Sequence, residues 1–313
     1  MTGDLNKPSG GNLSGLANGE QPIGASTMSP SDSKTVEECL AELDALVGLT
    51  EVKQQVRKLL ALQQANEVRK ADALPVVPLP LHLVFTGDAG TGKTTVARII
   101  SQLYRSANLL PQGTLVETDR SGLVAGYVGQ TALKVNDMLN KADGGVLYID
   151  EAYSLYQAGG QDFGDEAIAA LVKGMEDRRN SLAVIVSGYE EEMNNFIDSN
   201  PGLRSRFPTY IRFPNYTAEE LLEIFTRMAA AHSIQIAGEV AEVLARHFGG
   251  IDAGGHRGNA RYVRNVFEAM YANMALAAAE DGNIEAGELK QFTQAHLPRL
   301  DDDTPKAFGF TSA

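Results

Sequence analysis

A run of glycine, lysine and threonine carries the clearest chemistry in the 313-residue sequence. It reads Gly87-Asp88-Ala89-Gly90-Thr91-Gly92-Lys93-Thr94. This run matches G-x-x-x-x-G-K-[ST], a loop whose backbone amides, with the N-terminus of the helix that follows, surround phosphate oxygens. Lys93 is expected to reach the β- and γ-phosphates of a nucleotide, and the Thr94 hydroxyl to bind Mg²⁺.

The surroundings of this run distinguish a phosphate loop from a chance glycine-rich turn. An apolar strand candidate, Leu81–Thr86, precedes it, and residues 93–106 after it show the apolar spacing of an amphipathic helix. A strand, the loop and then a helix is the context in which this motif binds phosphates. The context therefore favours the functional interpretation over the chance turn.

A second group of chemical residues follows a buried-strand pattern. The run Val146-Leu147-Tyr148-Ile149-Asp150-Glu151 is apolar and ends in two carboxylates. Asp150 is expected to hold Mg²⁺ through its water shell, and Glu151 to orient and polarise an attacking water. Alone, such a run is most often an ordinary strand end. Combined with the phosphate loop, it indicates nucleotide hydrolysis.

Five short apolar segments are expected to form the strands that position these residues: Leu81–Thr86, Thr114–Glu117, Val146–Ile149, Leu182–Ser187 and Tyr210–Phe213. Helical periods separate them, at about 93–106, 131–142, 163–178 and 190–198. This alternation predicts an α/β fold with a largely parallel sheet covered on both faces. Beyond Pro214 only helices are expected, at about 217–232, 237–248, 258–280 and 285–297.

The chain is thus expected to divide into four parts. A tail rich in Gly, Ser, Asn and Pro (1–34) is predicted to be disordered, because it cannot bury enough apolar surface to fold. A nucleotide-binding α/β domain (35–214), a helical lid domain (215–298) and an acidic tail (299–313) follow. The length is that of about two ordinary domains.

The composition of the chain limits the functions that it can have. With 27 basic and 40 acidic residues the formal net charge is −13, which disfavours non-specific nucleic-acid binding because that requires Lys and Arg to neutralise phosphates. The single cysteine, Cys39, excludes an intramolecular disulfide framework and a four-cysteine zinc site. The most apolar stretch, 74–85, is too short to cross a membrane, and the N-terminus is polar, so no membrane insertion and a cytoplasmic location are expected.

The two motifs, followed by a pair of arginines and a helical region, resemble the AAA+ ATPases. The similarity is to the group of red-type Rubisco activases, stage V sporulation protein K and the cytosolic ATPases of type VII secretion. It favours a stand-alone member of the sporulation-protein-K type. The carrying segments are Val47–Leu49, Phe85–Thr95, Gly126–Ala132, Gly144–Tyr153, Asn200–Phe207 and Gly258–Asn265.

The resemblance implies a P-loop AAA+ core with a five-stranded parallel sheet, followed by a small all-helical lid. It also implies hydrolysis of ATP with Mg²⁺, assembly of identical subunits into a ring, with a hexamer as the expected size, and action on a protein client. Nucleic acid is not expected as a partner. The client itself is not indicated.

The resemblance assigns further residues to the nucleotide within one subunit. Thr95 joins the phosphate loop, and Val47 and Gly48 belong to the segment that contacts adenine. Arg261 resembles the sensor-2 arginine, which contacts the γ-phosphate from the lid. Ser187 stands where family members place the sensor-1 residue, commonly Asn, Thr or Ser, that positions water.

Three residues are assigned to contacts beyond the subunit. Arg206, and as second choice Arg204, resemble the arginine fingers that reach a neighbouring subunit's nucleotide. Tyr127 resembles the aromatic residue of a loop that lines the pore of a ring and grips polypeptide. From local sequence alone, two surface arginines in a turn and a core tyrosine are the competing interpretations.

Three functional hypotheses follow. The first is an ATP-driven remodelling motor that threads or pulls a protein client, with Rubisco-activase-like and secretion-associated variants left open. The second is an ATP-dependent switch that assembles on a partner without threading. The third is a nucleic-acid machine such as a helicase loader, which the net charge of −13 disfavours.

Overall fold

A computed structural model describes residues 34–127, 129–156, 163–254, 258–280 and 284–300. The predicted N-terminal tail, apart from Lys34, and the acidic tail after residue 300 lie outside the described residues. The first described helix is α1 (Val36–Ala45), whose N-cap Thr35 and Glu38 form a reciprocal capping box. Helix α2 (Thr50–Ala71) follows and leads through a proline-rich segment to the sheet.

The central sheet has five strands, all parallel: β1 (Leu83–Thr86), β2 (Leu115–Thr118), β3 (Val146–Ile149), β4 (Ala183–Gly188) and β5 (Thr209–Arg212). Their order across the sheet is β2-β3-β4-β1-β5. This confirms the predicted five-stranded parallel sheet. In the register of the sheet, the last residue of β1, Thr86, pairs with Gly188 and Arg212, so neighbouring strands end together at one edge. Every residue of β1, β3 and β4 is buried, because helices cover both faces.

The covering helices of this domain are α3 (Lys93–Ser106), α4 (Arg120–Leu123), α5 (Gln130–Ala142), α6 (Gly164–Asp177), α7 (Glu190–Asp198) and α8 (Pro201–Arg206). A 3₁₀ turn, Ala152–Leu155, follows β3. The short helix α8 was not anticipated, although its sequence carries the signal. Asn200 caps it by accepting from the Gly202 amide, and Pro201 occupies the first turn, where its missing amide costs nothing.

The lid contains α9 (Ala218–Ala231), α10 (Gly238–Gly254) and α11 (Asn259–Ala278), in agreement with three predicted helices. The predicted fourth helix, 285–297, is wrong. Strand β7 (Gln291–Phe292) pairs in parallel with β6 (Gln235–Ile236), and a 3₁₀ turn spans Gln294–His296. Phe292 explains the difference, since its buried ring packs 6.0 Å from Phe225 and 5.6 Å from Phe267, a tertiary contact that local periodicity does not reveal.

One apolar cluster joins the lid to the core. Buried residues of α1, α2, α3 and the strands, such as Phe85 and Ile100, belong to the same cluster as Phe225, Val263 and Phe267 of the lid. A second cluster on the opposite face of the sheet packs α5, α6, α7 and α8 against the strands. The lid thus closes over one face of the sheet and reaches the edge where the strands end.

Candidate nucleotide site

The phosphate loop connects β1 to α3 at the edge where the strands end. At Gly87, φ is +147° and an added Cβ would lie 2.3 Å from the carbonyl oxygen of Phe213, which directly follows β5, so only glycine fits beside the end of that neighbouring strand. Within the loop, the buried Thr91 donates its hydroxyl to the Asp88 carbonyl at 2.8 Å. The Thr91 side chain therefore helps to hold the loop in shape.

Lys93 folds into the loop. Its ammonium donates to the carbonyl oxygens of Gly87 at 2.7 Å and Asp88 at 2.8 Å. Burial lowers the pKa of Lys93, while the nearby carboxylates of Asp150 and Asp88 act in the opposite direction. A partly desolvated ammonium at the centre of the loop is suited to exchange these carbonyls for phosphate oxygens.

Asp150 is the best-held carboxylate of the site. One of its oxygens accepts hydrogen bonds from the Ser187 hydroxyl at 2.5 Å, the Glu151 amide at 3.1 Å and the Tyr148 hydroxyl at 3.4 Å. The Thr94 hydroxyl in turn donates to the Tyr148 oxygen at 3.2 Å. The two side chains predicted to share a metal, Thr94 and Asp150, are thus linked through one phenol.

Tyr148 was missed by sequence reasoning, which treated it as one apolar residue of a strand. Burial of the Tyr148 hydroxyl and, to a smaller extent, the charge of Asp150 raise the pKa of Tyr148. The phenol therefore stays protonated and can donate a hydrogen bond. The available signal was its polar tip in an otherwise apolar strand. Its partners Thr94 and Asp150 come from two different elements and become apparent only in the folded chain.

Ser187, the candidate sensor-1 residue, lies near the end of β4, as the sequence predicts. It is fully buried, and its hydroxyl supports Asp150, whereas the next two residues, Gly188 and Tyr189, line the cleft. The assignment of Ser187 to water positioning therefore stays a prediction. The structure places the Ser187 hydroxyl in contact with the Asp150 carboxylate.

Glu151 stands exposed at the end of β3 in a left-handed conformation, with φ +48° and ψ +44°. A non-glycine residue in this region costs about 1–2 kcal/mol, so the fold holds Glu151 there against its local preference. Its carboxylate lines the same cleft as Lys93 and Arg261. A carboxylate in this position can act on a water, and the hydrogen-bonded Asp150 beside it can hold a metal.

The cleft has a volume of about 350 Å³ and lies between the phosphate loop and the lid. Both Arg261 and Arg264, one helical turn apart at the start of α11, contribute to its wall. The described residues that line it are Gly87, Ala89, Gly90, Gly92, Lys93, Thr94, Thr95, Asp150, Glu151, Gly188, Tyr189, Ala260, Arg261 and Arg264. Three cations therefore face a space bounded by a phosphate loop, as a polyphosphate requires.

The segment expected at adenine borders the end of the phosphate loop. Val47 and Leu49 are buried, and a Cβ at Gly92 would lie 3.6 Å from the Leu49 Cδ1 atom. Tyr216, which sequence reasoning did not select, donates its hydroxyl to the Thr91 carbonyl at 3.3 Å. Gly48 lies against Glu220 of the lid helix α9, where an added Cβ would meet the carboxylate at 2.2 Å. These residues form apolar surface next to the loop.

The two candidate finger arginines lie on α8 and make other contacts. Arg206 is 24% exposed and pairs with Glu176 at 3.0 Å, while Arg204 is 65% exposed and pairs with Asp198 at 2.5 Å. Burial of the His82 ring and, to a smaller extent, the nearby charge of Arg206 lower the pKa of His82 to about 4. The neutral His82 ring accepts the Val184 amide at 3.0 Å. The structure brings neither arginine to the lining of its own subunit's cleft.

Tyr127 is 74% exposed, which excludes the competing interpretation of a core tyrosine. Its flanking glycines, Gly126 and Gly129, have no atom within 4 Å of an added Cβ. Val128 between them lies outside the described residues. An aromatic ring on an open glycine-flanked loop is free to contact another chain.

Comparison with known proteins agrees with this geometry. The model of the ATPase family associated with various cellular activities (AAA) matches residues 83–215, and that of an AAA lid domain matches residues 217–307. Stage V sporulation protein K of Bacillus subtilis is 43% identical over 230 residues, which are 72% of this chain and 71% of that protein. The chain therefore belongs to the AAA ATPases, and the core-plus-lid fold and ATP hydrolysis inferred from its sequence are those of this family.

Other relatives extend the same group. Protein CbbX of Cereibacter sphaeroides is 39% identical over 264 residues, covering 83% of this chain and 85% of that protein. The ESX-1 secretion system protein EccA1 of Mycobacterium tuberculosis is 41% identical over 243 residues, 74% of this chain but 42% of that protein. A solved Thermotoga maritima RuvB mutant, 21% identical with a TM-score of 0.52 over 82% of this chain and 70% of its own, shares the fold.

Replacing Gly90 tests the geometry of the loop. Gly90 has φ +76°, and a Cβ added to it would lie 2.1 Å from the Gly258 carbonyl oxygen. The substitution Gly90→Ala must therefore displace either the loop or the lid. We expect ATP affinity, measured by calorimetry, to fall at least about tenfold. Gly249→Ala, where nothing lies within 4 Å of the added Cβ, should bind ATP like the wild type. Equal affinities in both variants would contradict the described loop.

Proposed function

We propose that the protein is a cytoplasmic ATP-driven remodelling motor that works as a ring, with six subunits as the expected number, and pulls on a protein client. We infer the ring from the position of Arg206, which pairs with Glu176 outside the cleft of its own subunit. A neighbour's cleft is the place where such an arginine can stabilise transferred phosphate. Among the described residues, no helix is long and apolar enough to cross a membrane.

Within one subunit, five residues in and beside the cleft have separate tasks. The Lys93 ammonium binds phosphate oxygens, and the α3 N-terminus adds its positive dipole. The Glu151 carboxylate orients a water for attack on the γ-phosphate. Arg261 neutralises charge from the lid side, and Val47 and Gly48 contact the adenine.

The residues present also fit a magnesium ion. Proteins usually bind Mg²⁺ by one or two carboxylates together with substrate phosphates. No group of three or more His, Cys, Asp or Glu side chains stands together in the described part of the chain, whereas Thr94 and Asp150 are joined through Tyr148. When bound, Mg²⁺ would neutralise phosphate charge. Ser187 and Tyr148 would keep the Asp150 oxygen in place for it.

Glu151→Gln tests the role of the exposed carboxylate. The amide has the same shape but cannot polarise water, so ATP turnover should fall at least about 100-fold while ATP affinity changes less than about threefold. Steady-state phosphate release and nucleotide titration measure the two. Glu191→Gln, an exposed carboxylate in the first turn of α7, should behave like the wild type. Full turnover in Glu151→Gln would remove Glu151 from this role.

Arg206→Ala tests the shared site. We expect unchanged ATP affinity and a loss of turnover of about 10³-fold in the assembled protein, because the developing charge loses its partner. Arg179→Ala is the matched control, since Arg179 also pairs with Glu176, at 3.2 Å, and is 70% exposed. It should keep its turnover.

Mixing subunits shows whether Arg206 acts between chains. Arg206→Ala subunits keep an intact cleft and lack the arginine, whereas Lys93→Ala subunits keep the arginine and lack phosphate binding. Mixed rings of these two inactive variants should regain part of the turnover. Absence of any rescue, with mixed assembly confirmed by mass, would count against a site shared between subunits. Arg204→Ala in the same assay decides between the two arginines.

Tyr127→Ala tests the contact with a client. We expect basal turnover within about twofold of the wild type, since the loop does not line the cleft, but no stimulation by an unfolded polypeptide such as casein. Tyr127→Phe should keep the stimulation. Tyr271→Ala, at a lid tyrosine that is 44% exposed, is the control for loss of a surface aromatic ring. Stimulation unaffected in Tyr127→Ala would favour the ATP-dependent switch that acts without threading.

The relatives leave the client open. The chain resembles a sporulation protein, CbbX and a secretion-system protein to a similar degree, at 43%, 39% and 41% identity. We favour a stand-alone remodelling factor of the sporulation-protein-K type, with a Rubisco-activase-like or secretion-associated ATPase as alternatives. Nucleic acid is not proposed as a partner, because the net charge of −13 opposes it.

A further inference from the structure

The N-terminus of the lid helix α11 meets the apex of the phosphate loop directly. The Ala260 amide donates to the Gly90 carbonyl at 3.1 Å, a hydrogen bond from the lid to the loop that involves only backbone. No side chain at position 90 could fit between them, since its Cβ would lie 2.1 Å from the Gly258 carbonyl oxygen. The loop and the lid are therefore in backbone contact at this point.

Asn259 adds a side-chain connection at the same point. Its amide nitrogen donates to the Ala89 carbonyl at 3.1 Å and to the Asn215 side-chain oxygen at 2.9 Å. Its oxygen accepts the Tyr216 backbone amide at 3.0 Å. The residue is only 9% exposed, so these bonds replace water. One buried amide thus joins the loop, the segment between the domains and the lid.

The Asn215 amide extends this connection back to the loop. Its nitrogen donates to the Asp88 carboxylate at 2.8 Å. Asn259 can fill its position only as an amide, because a carboxylate has no hydrogens to donate to the Ala89 carbonyl and the Asn215 oxygen. Position 259 therefore requires an amide side chain.

The backbone at Asn259 restricts the residue further. Its φ is +50°, and the preceding Gly258 has φ +81°. Asparagine and glycine tolerate this left-handed region better than other residues do. Of these two, only asparagine can make the three hydrogen bonds described above. The local conformation and the hydrogen bonds thus select the same side chain.

We propose that Asn259 is a positioning residue that sets the phosphate-binding amides of the loop. In a trans peptide the C=O and the next N–H point in opposite directions. Holding the Ala89 and Gly90 carbonyls toward the lid therefore turns the amides of Gly90 and Thr91 away from it, into the loop where phosphate oxygens bind. Through Asn259 the orientation of the lid determines phosphate affinity, and by linkage bound phosphate determines the orientation of the lid.

The test compares two Asn→Asp changes in the same helix. Asn259→Asp removes the donor that reaches the Ala89 carbonyl of the loop, whereas Asn273→Asp removes a donor that reaches the His296 carbonyl, at 3.1 Å, inside the lid. We expect the Kd for ATP to rise about tenfold or more in the first and to stay within about twofold in the second. Asn259→Gly, which keeps the left-handed backbone, should show the same loss without new strain.

Two further readouts separate positioning from general damage to the fold. Asn259→Gly should raise the KM for ATP about tenfold while kcat at saturating ATP stays within about threefold, since Glu151 is untouched. Hydrogen exchange should show ATP protecting the first turns of α11 in the wild type and in Asn273→Asp. That protection should be lost in Asn259→Gly.

The Kd and hydrogen-exchange results are independent of the ring and of the pore loop, since both measure nucleotide binding to the full chain. Wild-type ATP affinity in Asn259→Gly, with binding lost in Lys93→Ala, would overturn the positioning role and leave the nucleotide site intact. Equal losses in Asn259→Asp and Asn273→Asp would overturn it as well, by showing a general effect of the lid. Undiminished binding in Lys93→Ala would refute the site and the inference together.

Discussion

The Asp150 carboxylate ends a fully buried strand, and three donors from the chain hold one of its oxygens. Asp150 is itself an exposed residue, so these hydrogen bonds fix the direction of its carboxylate rather than compensate for burial. Two of the three donors are held by the buried sheet, since Ser187 lies near the end of the neighbouring strand β4 and Tyr148 lies within β3. The parallel register of β3 and β4 is what brings Ser187 beside Asp150. The chemistry of the cleft therefore depends on the pairing of strands that are buried on both faces.

The charge of the cleft differs from the charge of the whole chain. The chain carries a net charge of −13, yet Lys93, Arg261 and Arg264 converge on one cleft. Of these, Lys93 comes from the loop and the two arginines from the lid, so the positive side of the site is complete only when both domains are in place. The apolar cluster that runs from the sheet into the lid keeps them there. Packing and electrostatics thus reinforce one another across the domain boundary.

Sequence reasoning was most successful where chemistry is local. The phosphate loop, the two carboxylates after β3 and the five strands follow from short patterns, because a loop, a strand end and a buried strand each have a signature within a few residues. It failed where a residue's role depends on a distant partner. Asn259 lies 170 positions from Ala89, and Thr94 lies 54 positions from Tyr148. The 285–297 segment failed for the same reason, since Phe292 is placed by the phenylalanines of two lid helices.

The left-handed backbone at Glu151 has a consequence for how this site can evolve. Glycine adopts φ +48° without strain, so the substitution that most relieves the backbone at this position is one that removes the carboxylate. With the role in turnover that we propose for Glu151, selection for stability and selection for turnover oppose each other at a single residue. A lineage that no longer needs hydrolysis would gain a more stable chain by losing Glu151. Where the glutamate is kept, its persistence is a sign that turnover is under selection.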